Sequence, residues 1–407
     1  MHHFIFPTQD TWISSGSSTI TGETFKDQNF GKDQILEVKK VFYDNKFDYK
    51  TRALINFNGT EFNNLKQEID NGNIPTDAKY YLRLYEAEGN SELSETYTLS
   101  AFPLYQSWTE GTGKDGDNPK NTNGVSWENR NNPIGSNETN WSVNLDSGSV
   151  EFNDYISLFI GADSTFSQVT QSDYFNGGNS NGGVWVDDVG FAASQSFDLQ
   201  TPDVDMDITY MVNRWIDEDI SNYGLILKFS GSQETDDNTF GHLKFFSRNT
   251  HTIYAPRLEV RWDDHTSATN DNTGSLTSLV VSGLEDNYLY MKALQESYKE
   301  NDRVKFRVGA RKRYIQKTFS TSVQSVTGSF IPEGKGFYAI KDVATDEFIV
   351  PFSAYTSMSC DSNSSYFTQW LDGFYPDRVY KILLKLKYDN GQEQIFDEDF
   401  EFTVKRK

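Results

Sequence analysis

Short runs of alternating apolar and polar residues dominate this chain. "RALINF" at 52–57 puts Ala53, Ile55 and Phe57 on one face of an extended segment. "KYYLRLYEAE" at 79–88 sets Tyr81, Arg83 and Tyr85 against Leu82 and Leu84, and "PRLEVRW" at 256–262 repeats the pattern with Leu258, Val260 and Trp262. A period of two is the mark of a half-buried strand. Helical periodicity is scarce. It is clearest in "NNLKQEIDNG" at 63–72, ended by Gly72, and in "DITYMVNRW" at 207–215. In the latter Thr209 is placed to cap a turn whose Met211, Val212 and Trp215 share a face. The pattern predicts an all-β chain.

The alternation breaks twice. Between 111 and 206 lie the turn-rich stretches "GTGKDGDNPKNTNG" and "NGGNSNGG", with "YISLFIGA" at 155–162 as one strand among them. Residues 131–206 therefore read as an insertion carried on a sandwich. The second break, "DDHTSATNDNTGS", reads as a linker over 265–275. Strand patterns resume with "RVKFRVG" at 303–309 and continue through "YKILLKLKYDNGQEQIFDEDFEFTV", where "DNG" at 389–391 signals a hairpin. The expected organisation is a β-sandwich over 1–264, a linker, and a second β-sandwich region over 276–407, with room for two small subdomains.

Composition narrows the function classes. Lys plus Arg is 37 and Asp plus Glu is 59, a net charge of −22. That field repels phosphate backbones and anionic bilayers, so neither nucleic acid nor membrane insertion is expected. Free copies should also repel one another. The start of the chain lacks a basic segment followed by a long apolar run, and Cys360 is the lone cysteine. These features predict synthesis in the cytosol without a disulfide framework.

Two local signals read as scaffold. Asn-aromatic-Gly occurs at 29–31 and 222–224, each before a strand. Gly31 and Gly224 are expected to supply positive φ while Asn29 and Asn222 bond local backbone and Phe30 and Tyr223 plug the sandwich end. Pro376 followed by Tyr380 at the start of a strand fits a tyrosine corner, in which a buried hydroxyl bonds backbone just upstream. Trp12, Trp215 and Trp262 are expected in the cores.

Catalytic motifs are sparse. No Walker loop, GxSxG elbow or HExxH helix occurs. The five histidines lack metal-ligand spacing, His2 and His3 read as a frayed end, and Cys360 has no histidine near it in sequence. Asp203, Asp205 and Asp207 in "DVDMD" share one face and could make an oxygen-rich calcium site; the plainer reading is a solvated face. Trp108-Thr109-Glu110 would place a ring beside an acid, but no second carboxylate completes a glycosidase pair.

Read in order, the pieces of the first region resemble a DNRLRE domain, a jelly-roll module similar to carbohydrate-binding modules. They are "DTWI" at 10–13, "NFGKDQILEV" at 29–38, "TRALINF" at 51–57, "IPTDAKYYLRLY" at 74–85, "SWTEGT" at 107–112 and "VSWENR" at 125–130. "DITYMVNRW", "NYGLILKF" at 222–229, "FFSRN" at 245–249 and "PRLEVRW" complete the set. The 131–206 stretch is much longer than the family's link. The later region resembles C-terminal Ig-like portions of tailed-bacteriophage structural proteins, through "ARKRYIQKTFSTS", "GKGFYAIKDVATDEFIVPF", "SCDSNSSYFTQWLDGFYPDRVYKILLKL" and "FDEDFEFTV".

These resemblances imply a non-enzymatic virion component of the neck, tail or baseplate, made in the host cytoplasm and partnered by other virion proteins. The alternative is an adhesin that binds host surface glycans through exposed rings. Trp108, Trp127, Trp141 and Trp185 are then the candidates for stacking on sugar.

Overall fold

A computed structural model of the chain describes residues 1–17, 22–43, 46–88, 96–141, 175–176, 182–186, 191–198, 203–269, 271–284, 286–315, 319, 321–322 and 328–406. The chain is all-β and sandwich-like, with few helical turns. The strand expected at 155–162 falls outside the described residues. No helix among the described residues is long and apolar enough to cross a membrane.

The chain divides into two units, one of Ile5–Glu259 and one of Met1–Phe4 with Val260–Lys407. The boundary thus falls at Glu259 rather than at 264, and 265–275 lies inside the second unit. Thr266 N donates to Ser359 Oγ at 2.9 Å, Cys360 N donates to Thr266 O at 3.4 Å, and Thr273 is buried. Most of the described residues of this stretch are exposed, and Thr266 ties it to nearby chain. His2 and His3 are not frayed either. Both are buried in the strand His2–Ile5, where Gln369 Nε2 donates to His2 O at 2.8 Å.

In the Ile5–Glu259 unit an eight-stranded antiparallel sheet runs Ala193–Asp198, Thr96–Pro103, Leu225–Phe229, Lys46–Asn56, Ile35–Tyr43, Gly241–Phe246 and Glu86–Glu88, with Gln9–Ser14 also pairing with Lys46–Asn56. Lys79–Leu84 and Val204–Asp207 pair antiparallel in a second sheet. Tyr80, Leu82, Leu84, Val204 and Met206 are buried while Tyr81, Arg83 and Asp205 are not, the alternation that the sequence predicts. The 52–57 run departs from it. Arg52 and Leu54 are buried as well as Ala53 and Ile55, so both faces of this central strand are covered.

The helix Thr60–Asp70 buries Phe62 and Leu65, and Gly72 follows it at φ +72°. The helix Thr209–Ile216 buries Met211, Val212 and Trp215. Thr209 does not cap it. Its hydroxyl accepts a bond from Tyr80 N at 3.0 Å, while Asp207 Oδ1 accepts from Thr209 N at 2.9 Å.

The second unit has two sheets. One orders Thr277–Ser278, Ser329–Phe330, Arg303–Lys312, Ser365–Trp370 and Ser359–Cys360, with Asn287–Lys292 also pairing with Arg303–Lys312. The other orders Ser297–Lys299, Glu393–Lys405, Arg378–Lys387, Gly336–Asp342 and Phe348–Val350. Rings fill the space between them: Phe306 lies 5.3 Å from Phe402, and Tyr338 stacks on Phe367 at 3.8 Å. Tyr380 is buried and its hydroxyl donates to Tyr375 O at 2.9 Å, as a tyrosine corner requires. Gly391 takes φ +85° in the 388–392 hairpin.

Candidate functional site

The two Asn-aromatic-Gly corners are alike in sequence and unlike in cause. Gly224 has φ +84°, and a Cβ there would also meet Ile55 O at 2.3 Å. Gly31 is not in the left-handed region. It is glycine because a Cβ would lie 2.0 Å from Glu110 O. That close approach belongs to a hub centred on Asn29, which is wholly buried. Its Nδ2 donates to Glu110 O and Val125 O, both at 2.7 Å, and its Oδ1 accepts from Gly31 N at 3.1 Å and Gly113 N at 2.8 Å. Both amide protons and the carbonyl oxygen are thereby used, which ties the 29–31 corner to the 110–125 loop. Phe30 plugs the corner by stacking on Trp12 at 3.6 Å, whereas Tyr223 is only half-buried.

Beside the hub, Glu110 is buried and gathers three donors. Lys32 Nζ reaches Oε2 at 2.5 Å, Arg248 Nε reaches Oε1 at 2.7 Å, and Asp10 N reaches Oε1 at 3.2 Å. Burial opposes the Glu110 charge, but the Arg248 and Lys32 bonds outweigh it and hold the carboxyl below its ordinary range. Asp10 responds in the opposite sense. Burial pushes it up to about 7, despite the bond it accepts from Arg248 N at 2.6 Å, and the Glu110 charge adds to the rise.

A cleft of roughly 440 Å³ shares Lys32 with this cluster. Lys32, Asp33, Glu37, Lys114, Asp115 and Lys244 give its wall both signs of charge, and Trp12 also lines it. Burial raises Asp33 to about 6, although its carboxylate accepts bonds from Asp115 N and Trp12 Nε1, both at 2.9 Å. Burial also acts on Glu37, but His242 at 3.2 Å and Lys39 at 2.7 Å more than offset it and hold the group at about 2. Two carboxyls with separated pKa values suit acid–base work in principle. Here each is committed to protein donors, Asp33 to Asp115 N and Trp12 Nε1 and Glu37 to Lys39 and His242. Trp12 is only 3% exposed and offers no free ring face.

The four tryptophans expected to stack on sugar are buried: Trp108 is 5% exposed, Trp127 8%, Trp141 0% and Trp185 3%. Trp108 Nε1 donates to Tyr223 O at 2.9 Å and Trp141 Nε1 to Ser126 O at 3.0 Å. The Arg52 guanidinium lies over the Trp127 and Trp185 rings at 4.7 and 4.9 Å. Arg52 in turn pairs with Glu234 at 2.7 and 3.0 Å and donates to Gly182 O at 2.5 Å, and Lys228 reaches Glu234 at 2.8 Å. Burial works against the Glu234 charge, yet the two cations hold it at about 2. These rings pin loops to the sheet. Sequence reasoning missed this cluster because Arg52 and Glu234 stand 182 residues apart.

Asp203, Asp205 and Asp207 lie on the outward face of their segment, and no metal-binding group of three or more such residues occurs among the described residues. Asp203 Oδ1 accepts from Glu86 N at 2.7 Å, and Asp207 orders the start of the helix that follows. The calcium reading therefore gains no geometry. Glu110, the acid beside Trp108, serves the Asn29 hub. Cys360 is buried, and burial pushes its thiol up to about 11, away from nucleophilic use. No family model, curated protein or solved structure matches the chain.

Proposed function

We propose that the chain is a non-enzymatic structural protein of a tailed-phage virion, in its neck, tail or baseplate, bridging neighbouring subunits or fibres. The observation that carries this reading is the use made of the chemically capable side chains. Asp33, Glu37, Glu110 and Glu234 each bind protein donors and fix loops or corners, which suits a scaffold. The resemblance of 1–264 to DNRLRE jelly rolls and of the later region to phage Ig-like portions supports the same reading. Its partners are other virion proteins, and its place is the particle.

The adhesin reading keeps one support, the polar cleft beside Trp12, which would take a hydroxyl-rich glycan without ring stacking. Quantitative mass spectrometry of purified particles tests the first reading, which expects a fixed, symmetry-related copy number. Recovery of the protein as a secreted monomer with turnover on a polysaccharide would sink it. Glycan-array hits that disappear in a Lys114→Ala variant would favour the second.

A further inference from the structure

The charge of −22 is unevenly shared. Residues 1–259 carry 18 basic and 38 acidic side chains, a net of −20, whereas residues 260–407 carry 19 and 21, a net of −2. Between 131 and 213 there are twelve acidic residues and no Lys or Arg. The second unit is nearly neutral as a whole, but its two sheets treat charge differently.

On the sheet containing Arg378–Lys387, basic side chains are matched by acids. Lys381 pairs with Asp397 and Asp399 at 3.0 and 2.9 Å, Lys385 and Lys387 with Glu393 at 3.3 and 3.2 Å, and Lys341 with Asp346 at 2.7 Å. The outward face of the other sheet differs. Along Arg303–Lys312 the residues Phe306, Val308 and Ala310 are buried, which turns Arg303, Lys305, Arg307 and Arg311 outward. The register adds Lys292, opposite Arg307, to the same face. Asp361 is the one carboxylate brought to these cations among the described residues, held by Arg307 at 2.9 Å and 3.8 Å from Lys305. Arg303, Arg311 and Lys292 have no acidic partner among the described residues.

Three rings of this face have cations over them. Lys305 Nζ lies 3.8 Å from the centre of Tyr366, Arg311 lies 5.0 Å over Tyr288, and Arg303 lies 5.5 Å over Trp370. Tyr290, on the same face, stacks beside Tyr288 at 5.9 Å, so the face combines these rings with a row of positive charge. Alternate residues of a strand stand roughly 6.6–6.8 Å apart, giving a ladder of positive groups.

We infer that this cationic face docks the acidic Ile5–Glu259 unit of a second copy of the chain, head to tail. The net charge of −22 alone argued for mutual repulsion, but the sorting of charge changes that expectation. At physiological ionic strength the screening length is about 8 Å, so the charges facing each other across a contact outweigh those farther off. At low salt screening weakens and the repulsion between whole copies returns. At high salt the local attraction is lost. Association should therefore peak at intermediate salt, a signature that apolar docking would not give.

Sedimentation equilibrium of the full chain at about 10, 150 and 500 mM salt tests this. Concentration-dependent association is expected at the middle value and weaker association at both extremes. The triple variant Arg303→Glu, Lys305→Glu, Arg311→Glu should weaken it by at least about tenfold, and the corresponding triple glutamine variant by less. Arg307 is left in place because it holds Asp361, and circular dichroism should show both variants folded. A chain that stays monomeric at the middle salt, or association that ignores charge reversal, overturns the proposal. A monomer retained on heparin through these same residues would also overturn it, since the occupant would then be an external polyanion. Either result leaves the virion reading standing, because that reading rests on particle composition.

Discussion

In the Ile5–Glu259 unit, charges and amides sit beneath long irregular connections. Glu234 lies between Arg52 and Lys228, and Glu110 lies between Lys32 and Arg248. In the unit that contains Val260–Lys407, the interior is a continuous set of rings, with Phe306, Tyr338, Phe367 and Phe402 between two sheets. Among described residues, eight buried Asp, Glu, Lys or Arg belong to the first unit and one, Asp342, to the second. Connection length accounts for the contrast. A short hairpin satisfies its own backbone, whereas a loop that crosses a sheet needs side chains to supply partners for its N–H and C=O groups. Asp342 follows the same rule on a smaller scale, accepting from Ala344 N and Thr345 N at 2.9 Å in a tight turn. The first unit thus adds specific polar contacts to its apolar core, whereas the second relies more fully on packing.

The sharpest way to break this contrast is Glu234→Ala. It leaves Arg52 and Lys228 buried without their counter-charge, at an expected cost of roughly 3–5 kcal/mol. Chemical denaturation should show the first unit's transition moving to lower denaturant while the second unit's stays put. A single shared transition would show that the two units unfold together, and an unmoved midpoint that the ion cluster does not govern the first unit.

A smaller effect is expected from the second unit's own polar contact. Tyr380→Phe removes the donor to Tyr375 O and leaves ring packing on Phe374 and Phe402 in place. The expected loss is about 1–3 kcal/mol, read as a shift of the second transition alone. An unchanged midpoint would show that the corner is held by its rings.

These two sites differ in how far the sequence announces them. The tyrosine corner is local: Pro376, Tyr380 and the alternation of the following strand lie within one short segment, and the bond forms across five residues. The burial of Trp12, Trp215 and Trp262 is legible for the same reason, since each falls on an apolar stripe. The Arg52–Glu234–Lys228 cluster is not legible, because partners drawn from separate strands and turns leave no spacing to read. The fate of Trp127 and Trp185 went with it: a tryptophan in a polar, glycine-rich stretch has the same local appearance whether it faces solvent or covers a guanidinium. Gly31 illustrates a third case. The residue is identifiable as special, but its cause is the approach of Glu110 O from a distant loop, not its own φ.

The last way to sharpen the comparison is pH, because the buried carboxyls of the first unit have been moved in both directions. Glu37 and Glu234, at about 2, contribute stability that is present above their ordinary value of 4.5 and is lost as pH falls toward 2. Asp10 acts the other way. Between its ordinary 3.8 and about 7 the folded chain retains a proton that the unfolded chain has released, so stability falls as pH rises through that window. Asp33, raised to about 6, adds to the same slope. The first unit should therefore be most stable in mildly acidic solution and melt several degrees lower at neutral pH. Asp10→Asn keeps an oxygen to accept the Arg248 N–H but carries no charge to bury, so it should flatten the neutral limb and leave the acid limb intact. Thermal melts of both proteins across the acid-to-neutral range measure this directly. Parallel curves for the two would show that Asp10 is solvated well enough to ionise at its ordinary value, and that the interior around Glu110 is more open to water than its packing implies.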